Sequence, residues 1–193
     1  MRLRGIRFGV ISGSFYCQNN KLTSLLGFPI EIGGNFYCRN NRLTSLLGCP
    51  AVIGGGLNCS YNKLTSLEFC PEKVVGKFSC ATNYLTNLEG CPVIVGGDFI
   101  CDSNDITSLK GCPVEIPGDF NCSRNRLDSL EFCPKKVGGY FACFKNMFKK
   151  DENFLYDFTA EQICMYCLNK DLNEKLDVNL PVDMAVGIKP KKI

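Results

Sequence analysis

Residues 30–50 read IEIGGNFYCRNNRLTSLLGCP, and this 21-residue pattern recurs in one register seven times along the 193-residue chain. Twelve of the fourteen cysteines fall into two columns of that period. One runs Cys17, Cys38, Cys59, Cys80, Cys101, Cys122, Cys143; the other runs Cys49, Cys70, Cys91, Cys112, Cys133. A short period held without insertions marks a solenoid, in which each unit buries its apolar face only against its neighbours. Such a fold offers long open surfaces in place of a closed pocket.

Each position in the unit has a physical reading. Phe36 and Cys38 stand two residues apart, as do their equivalents in every copy, which gives a short strand with one buried face. The glycine column from Gly13 through Gly34 to Gly139 suits either a positive φ or a close approach between turns. Three residues beyond each cysteine stands an asparagine: Asn20, Asn41, Asn62, Asn83, Asn104, Asn125, Asn146. An amide set where the chain leaves the strand can bond the backbone of its own turn and of the next. Leucines follow, as at Leu43 and Leu46, and prolines recur from Pro29 to Pro134. The return leg must therefore be extended or built of turns, with no room for a helix.

The run F-x-C-x-x-N-x-L resembles the L-x-L-x-x-N-x-L core of leucine-rich repeats, with Phe and Cys in the first two leucine positions. The resemblance covers residues 9 to about 150. Its short period is similar to the bacterial effector-type repeats, and LTSLxGCP looks like phage-encoded leucine-rich repeats. It implies a horseshoe with short parallel strands on the concave face, an extended or turn-like convex side, and protein binding as the usual role. A phage-encoded binder or inhibitor of a host protein is the further implication.

The solenoid is expected over 1–150 and a C-terminal helical cap and tail over 151–193. Thr159 and Gln162 form a candidate capping box, with Phe158 and Ile163 as a hydrophobic staple. Ile163, Cys164, Cys167, Leu168, Leu172 and Leu176 make an apolar stripe, so the spacing predicts a helix over 160–176 lying across the last repeat. Val178, Leu180 and Val182 alternate in the tail. At the other end only Leu3, Ile6 and Phe8 offer cover, which leaves self-association through the N-terminal edge open.

Composition narrows the chemistry. The cysteine columns are unequal, and Phe28 takes the second column's place in the first copy, so an apolar niche filled by reduced cysteine is expected. No histidine occurs, which removes the commonest general base and every Ser-His or Cys-His pair. No phosphate-binding glycine motif appears, and a ladder of single cysteines surrounds a tetrahedral metal poorly. A non-enzymatic protein without cofactor or metal is expected. The lone Cys164-x-x-Cys167 pair reads as core on one helix face. No membrane-spanning run or leader peptide is legible, which points to the cytoplasm.

The candidate partner-binding residues flank the buried columns. They are Tyr16, Tyr37, Arg39, Arg42, Tyr61, Lys63 and Tyr84, then Asp98, Asp102, Asp105 and Asp119, then Arg124, Arg126, Tyr140 and Phe144. Exposed Tyr and Phe beside Arg are the usual stock of interface anchors. Asp98 and Asp119 share a column, so like charges should stand about 5 Å apart. Nucleic-acid binding through the Arg, Lys and Tyr residues is the alternative, as is a self-assembling structural role. A surplus of four cations over residues 1–147 is small for tracking phosphates.

Overall fold

The computed structural model describes residues 9–148 and 159–176. The chain is a parallel β-solenoid with 21-residue spacing, in which every turn contributes two strands of two residues each. The odd strands are β1 Val10–Ile11, β3 Glu31–Ile32, β5 Val52–Ile53, β7 Lys73–Val74, β9 Ile94–Val95, β11 Glu115–Ile116 and β13 Lys136–Val137. The even strands are β2 Phe15–Tyr16, β4 Phe36–Tyr37, β6 Leu57–Asn58, β8 Phe78–Ser79, β10 Phe99–Ile100, β12 Phe120–Asn121 and β14 Phe141–Ala142. The even strands form one seven-stranded sheet, hereafter sheet two. The odd strands form sheet one, as a five-stranded run from β1 to β9 followed by the pair β11–β13.

Sheet two matches the strand read from the Phe and Cys columns. Sheet one corrects the expectation that strands line one side only. Its cause is local: in Val52–Ile53 the first residue is exposed and the second buried, and Glu31–Ile32, Lys73–Val74, Ile94–Val95 and Glu115–Ile116 repeat the alternation. A β-branched residue every 21 positions, facing inward, fits a second pleated wall.

The glycines between the two strands are there for close approach. A Cβ on Gly34 would lie 2.7 Å from the Ser14 nitrogen, and one on Gly55 would lie 2.9 Å from the Gly34 carbonyl carbon. Positive φ occurs elsewhere. Asn19, Asn40, Tyr61, Thr82, Ser103, Arg124 and Lys145, two residues past each column-one cysteine, all have φ between 52 and 61°. This left-handed residue turns the chain off sheet two in every copy.

Inside, Phe78, Phe99, Phe120 and Phe141 stack with ring centroids 4.9–5.6 Å apart. The asparagines complete the corner. The Asn83 amide donates to the carbonyls of Cys59 at 3.2 Å and Cys80 at 3.0 Å, and its oxygen accepts from the Leu64 N–H at 3.0 Å. Asn41, Asn62, Asn104 and Asn125 make the equivalent bonds. Asn83→Ala is expected to leave these buried groups unpaired and to lower stability by about 3 kcal/mol. Exposed Arg42→Ala should change it by less than about 0.5 kcal/mol. Equal melting temperatures for the two variants would refute a buried amide ladder.

The C-terminal helix, α1, spans Ala160–Leu176. The capping box forms as read: Thr159 N–H donates to Gln162 Oε1 at 2.8 Å, and Gln162 N–H donates to Thr159 Oγ1 at 3.3 Å. Ile163, Cys164, Tyr166 and Cys167 are buried, and the helix packs on β13 and β14. The staple residue Phe158, the side chains of Leu172 and Leu176, the tail at Val178, Leu180 and Val182, and the N-terminal Leu3, Ile6 and Phe8 lie outside the described residues.

Candidate functional site

Five outward columns carry the predicted partner-binding residues, and the repeat dictates their order. The residue before each even strand faces outward, because the following Phe faces inward; here stand Asp98, Asp119 and Tyr140. Tyr16 and Tyr37 are the outward second residues of β2 and β4. Arg39, Asp102 and Phe144 follow the inward cysteines, and Tyr61 and Arg124 occupy the left-handed corner. Arg42, Lys63, Tyr84, Asp105 and Arg126 form one column beyond that corner, after the buried asparagines. They therefore flank the sheet-two face along its rim and do not stand on it.

The Tyr16 and Tyr37 rings stack at 5.0 Å with planes 14° apart, an exposed aromatic platform at one end of sheet two. Tyr140 and Phe144, both exposed, stand at the other end. Between them the face carries smaller side chains: Asn58, Ser60, Ser79 and Ala81, with the Ser60 and Ser79 hydroxyls 2.7 Å apart. The aspartates occupy the next turns. Asp98 and Asp119 do share a column, and each is used by the fold: Asp98 Oδ1 accepts from the Asp119 N–H at 3.1 Å, and Asp119 Oδ1 accepts from the Tyr140 N–H at 2.8 Å. Ser14 and Asn35 serve the preceding turns in the same way. The backbone bond and the Lys77 ammonium at 3.2 Å hold the Asp98 carboxyl below the usual carboxylate range.

Charge pairing also follows the period. Arg126 meets Asp105 at 2.7 Å and Lys110 meets Glu89 at 2.8 Å, each pair 21 residues apart like Lys77 and Asp98. These are exposed pairs between successive turns, of small worth to stability.

All fourteen cysteines are free. Burial pushes the thiols of Cys17, Cys59, Cys91 and Cys143 up to about 12 and that of Cys164 up to about 11. Cys38, Cys80, Cys101 and Cys122 are raised as well, by burial first and by neighbouring thiols second. A thiol held protonated is a poor nucleophile and a poor metal ligand. Among the described residues no group of three or more Cys, Asp or Glu is arranged to hold a metal ion, and no helix is long and apolar enough to cross a membrane.

Two exposed phenylalanines escaped the reading of the repeat. Phe69 and Phe132 occupy the column otherwise held by Gly27, Gly48, Gly90 and Gly111, and they share that column's positive φ, 68° and 62°. The signal was legible as LEFCP at 67–71 and 130–134 against LLGFP at 25–29 and LxGCP at 46–50, 88–92 and 109–113. Phe69 lines a shallow groove of ≈ 760 Å³ on the outside of sheet one, with Val52, Pro71, Lys73 and Val75.

Comparison with protein-family models, curated proteins and solved structures finds no match to this chain.

Proposed function

We propose that the protein is a non-enzymatic binding module that holds a partner protein against sheet two, the face that the leucine-rich-repeat resemblance makes the concave one. The observation that carries this reading is the distribution of side chains on that wall. A stacked tyrosine pair with Arg39 beside it stands at one end, and Tyr140 with Phe144 stands at the other. An acidic turn lies between them. Aromatic and arginine anchors around a band of fixed charge suit a protein surface of complementary pattern. A host protein is the class of partner that the phage-type resemblance suggests, and a reducing cytoplasm suits fourteen free thiols.

The test captures the partner on immobilised protein and measures its affinity for variants by surface plasmon resonance. Tyr37→Ala and Arg39→Ala are each expected to weaken binding by about 1–3 kcal/mol. Tyr37→Ala also removes the Tyr16 stack, so melting temperatures must be matched to separate binding from folding. Unchanged affinity in both variants moves the binding surface off sheet two. Asp98 and Asp119 make poor probes, since each carboxylate also holds the next turn's backbone.

A further inference from the structure

The first residue of every odd strand faces outward, which puts Val10, Glu31, Val52, Lys73 and Ile94 in one exposed column across sheet one. Adjacent members are about 4.8 Å apart. Exposed Ile30, Val75 and Val93 flank the column, so aliphatic side chains surround the charged Glu31 and Lys73 on this wall, where sheet two is aromatic and polar. Contiguous exposed apolar surface on a soluble protein marks an interaction site.

Phe69 reinforces that reading. At its position Gly48 and Gly90 approach the preceding turn so closely that a Cβ would stand 2.7 and 2.9 Å from backbone atoms. The turn favours glycine, yet Phe69 holds a left-handed backbone and is 49% exposed. A strained residue whose side chain contributes little to the core is poised for a contact outside it.

We propose that the outer face of sheet one is a self-association surface on which a second copy of this chain docks, about a two-fold axis lying in the interface along β5. The charge order selects this register. The rotation reverses the order of turns, placing Val52 against Val52 and Val10 against Ile94 of the second copy. It places Glu31 against Lys73 twice, once on each side of the axis. Moving the axis to β7 would oppose Lys73 to itself and Glu31 to Glu115. Moving it to β9 would also pair Lys73 with Glu115 on each side, but it would set Lys136 against the apolar Val52 twice. The same rotation brings Phe69 over Gly27 of the second copy. Among the described residues nothing lies within 4 Å of a Cβ placed on Gly27, and exposed Leu26 and Ile30 lie on either side of it. A ring set over a glycine, with a self-complementary charge pair around an apolar centre, is what an isologous interface requires. Sheet two lies on the other wall, so the dimer presents both copies of it outward, and the inference does not depend on what sheet two binds.

Sedimentation velocity on the full chain with reductant, from micromolar to millimolar concentration, tests this. The wild type should pass from monomer to dimer. Glu31→Lys and Lys73→Glu alone should each raise the dimer Kd by at least about tenfold, since each sets two like-charged pairs face to face. The combined swap should restore the dimer. Phe69→Gly should weaken dimerisation while raising the melting temperature, which separates the contact from a folding defect. A wild type that stays monomeric, single swaps without effect, or a double swap that fails to restore the dimer overturns the proposal.

Discussion

Raising the pH from about 8 to about 10 is expected to unfold the protein. The cause is the thiol ladder. In the unfolded chain the thiols titrate near their ordinary value of 9.0, while burial holds Cys17, Cys59, Cys91 and Cys143 protonated up to about 12. Below about pH 9 both states keep the proton, and this contribution is constant. Above it only the unfolded state ionises, so the unfolded state binds fewer protons and stability falls as pH rises. At about pH 10 each such thiol shifts the balance by roughly 1.4 kcal/mol, and these four together by roughly 6 kcal/mol. Cys38, Cys49, Cys70, Cys80, Cys101, Cys112 and Cys122 are raised too and act in the same direction. The four alone reach the lower part of the roughly 5–15 kcal/mol by which domains are stable, and the others add to them. Melting curves in reductant across this range should show a steep fall beginning near pH 9. A melting temperature that stays flat to pH 10 would mean that the thiols ionise in the folded state.

Deleting residues 153–193 is expected to convert the chain into an aggregating or unfolded species. A solenoid exposes the apolar interior of its last turn unless something covers it. Here α1 covers it: Ile163 is 1% exposed and Cys164 4%, packed on the strands that hold Val137 and Phe141. Burial beneath the helix pushes the Cys164 thiol up to about 11. Ile163→Asp is the milder form of the same test. It buries a carboxylate in that contact and should lower stability by about 3 kcal/mol or more, while the exposed Glu161→Ala should do little. Circular dichroism and light scattering read both effects. A truncated protein as soluble and as stable as the full chain would make α1 an appendage in place of a cover.

Much of this architecture was legible because the chain states it seven times. The Phe and Cys columns fixed an in-facing, two-residue periodicity, and sheet two follows it. The asparagine column lay where a turn needs both donors and acceptors, and the amides of Asn41 to Asn125 bond as the inventory of an amide group demands. Thr159 and Gln162 announced the helix start because capping is a local event decided within one turn. Sheet one was missed because a strand of two residues shows a single alternation in any one copy. Only the pairing of Ile32 with Ile53, and of Val74 with Val95, turns that alternation into a wall.

The sequence by itself determined the repeat length, the identity of the buried columns, the inward amides and the capped helix, since each rests on contacts within one turn or between identical neighbours. Tertiary structure alone decided three things. The glycines before the even strands serve close packing, while the left-handed conformation falls on residues such as Tyr61 and Arg124, because the choice depends on how the preceding turn sits beneath them. Asp98 and Asp119 are partly consumed by backbone bonds 21 residues away, which no reading of exposed charge could assign. And the two walls separate the surface into a face with aromatic ends and one where aliphatic and charged side chains alternate. Which outward residues become neighbours is set by the stacking of turns, and that stacking is a property of the whole solenoid.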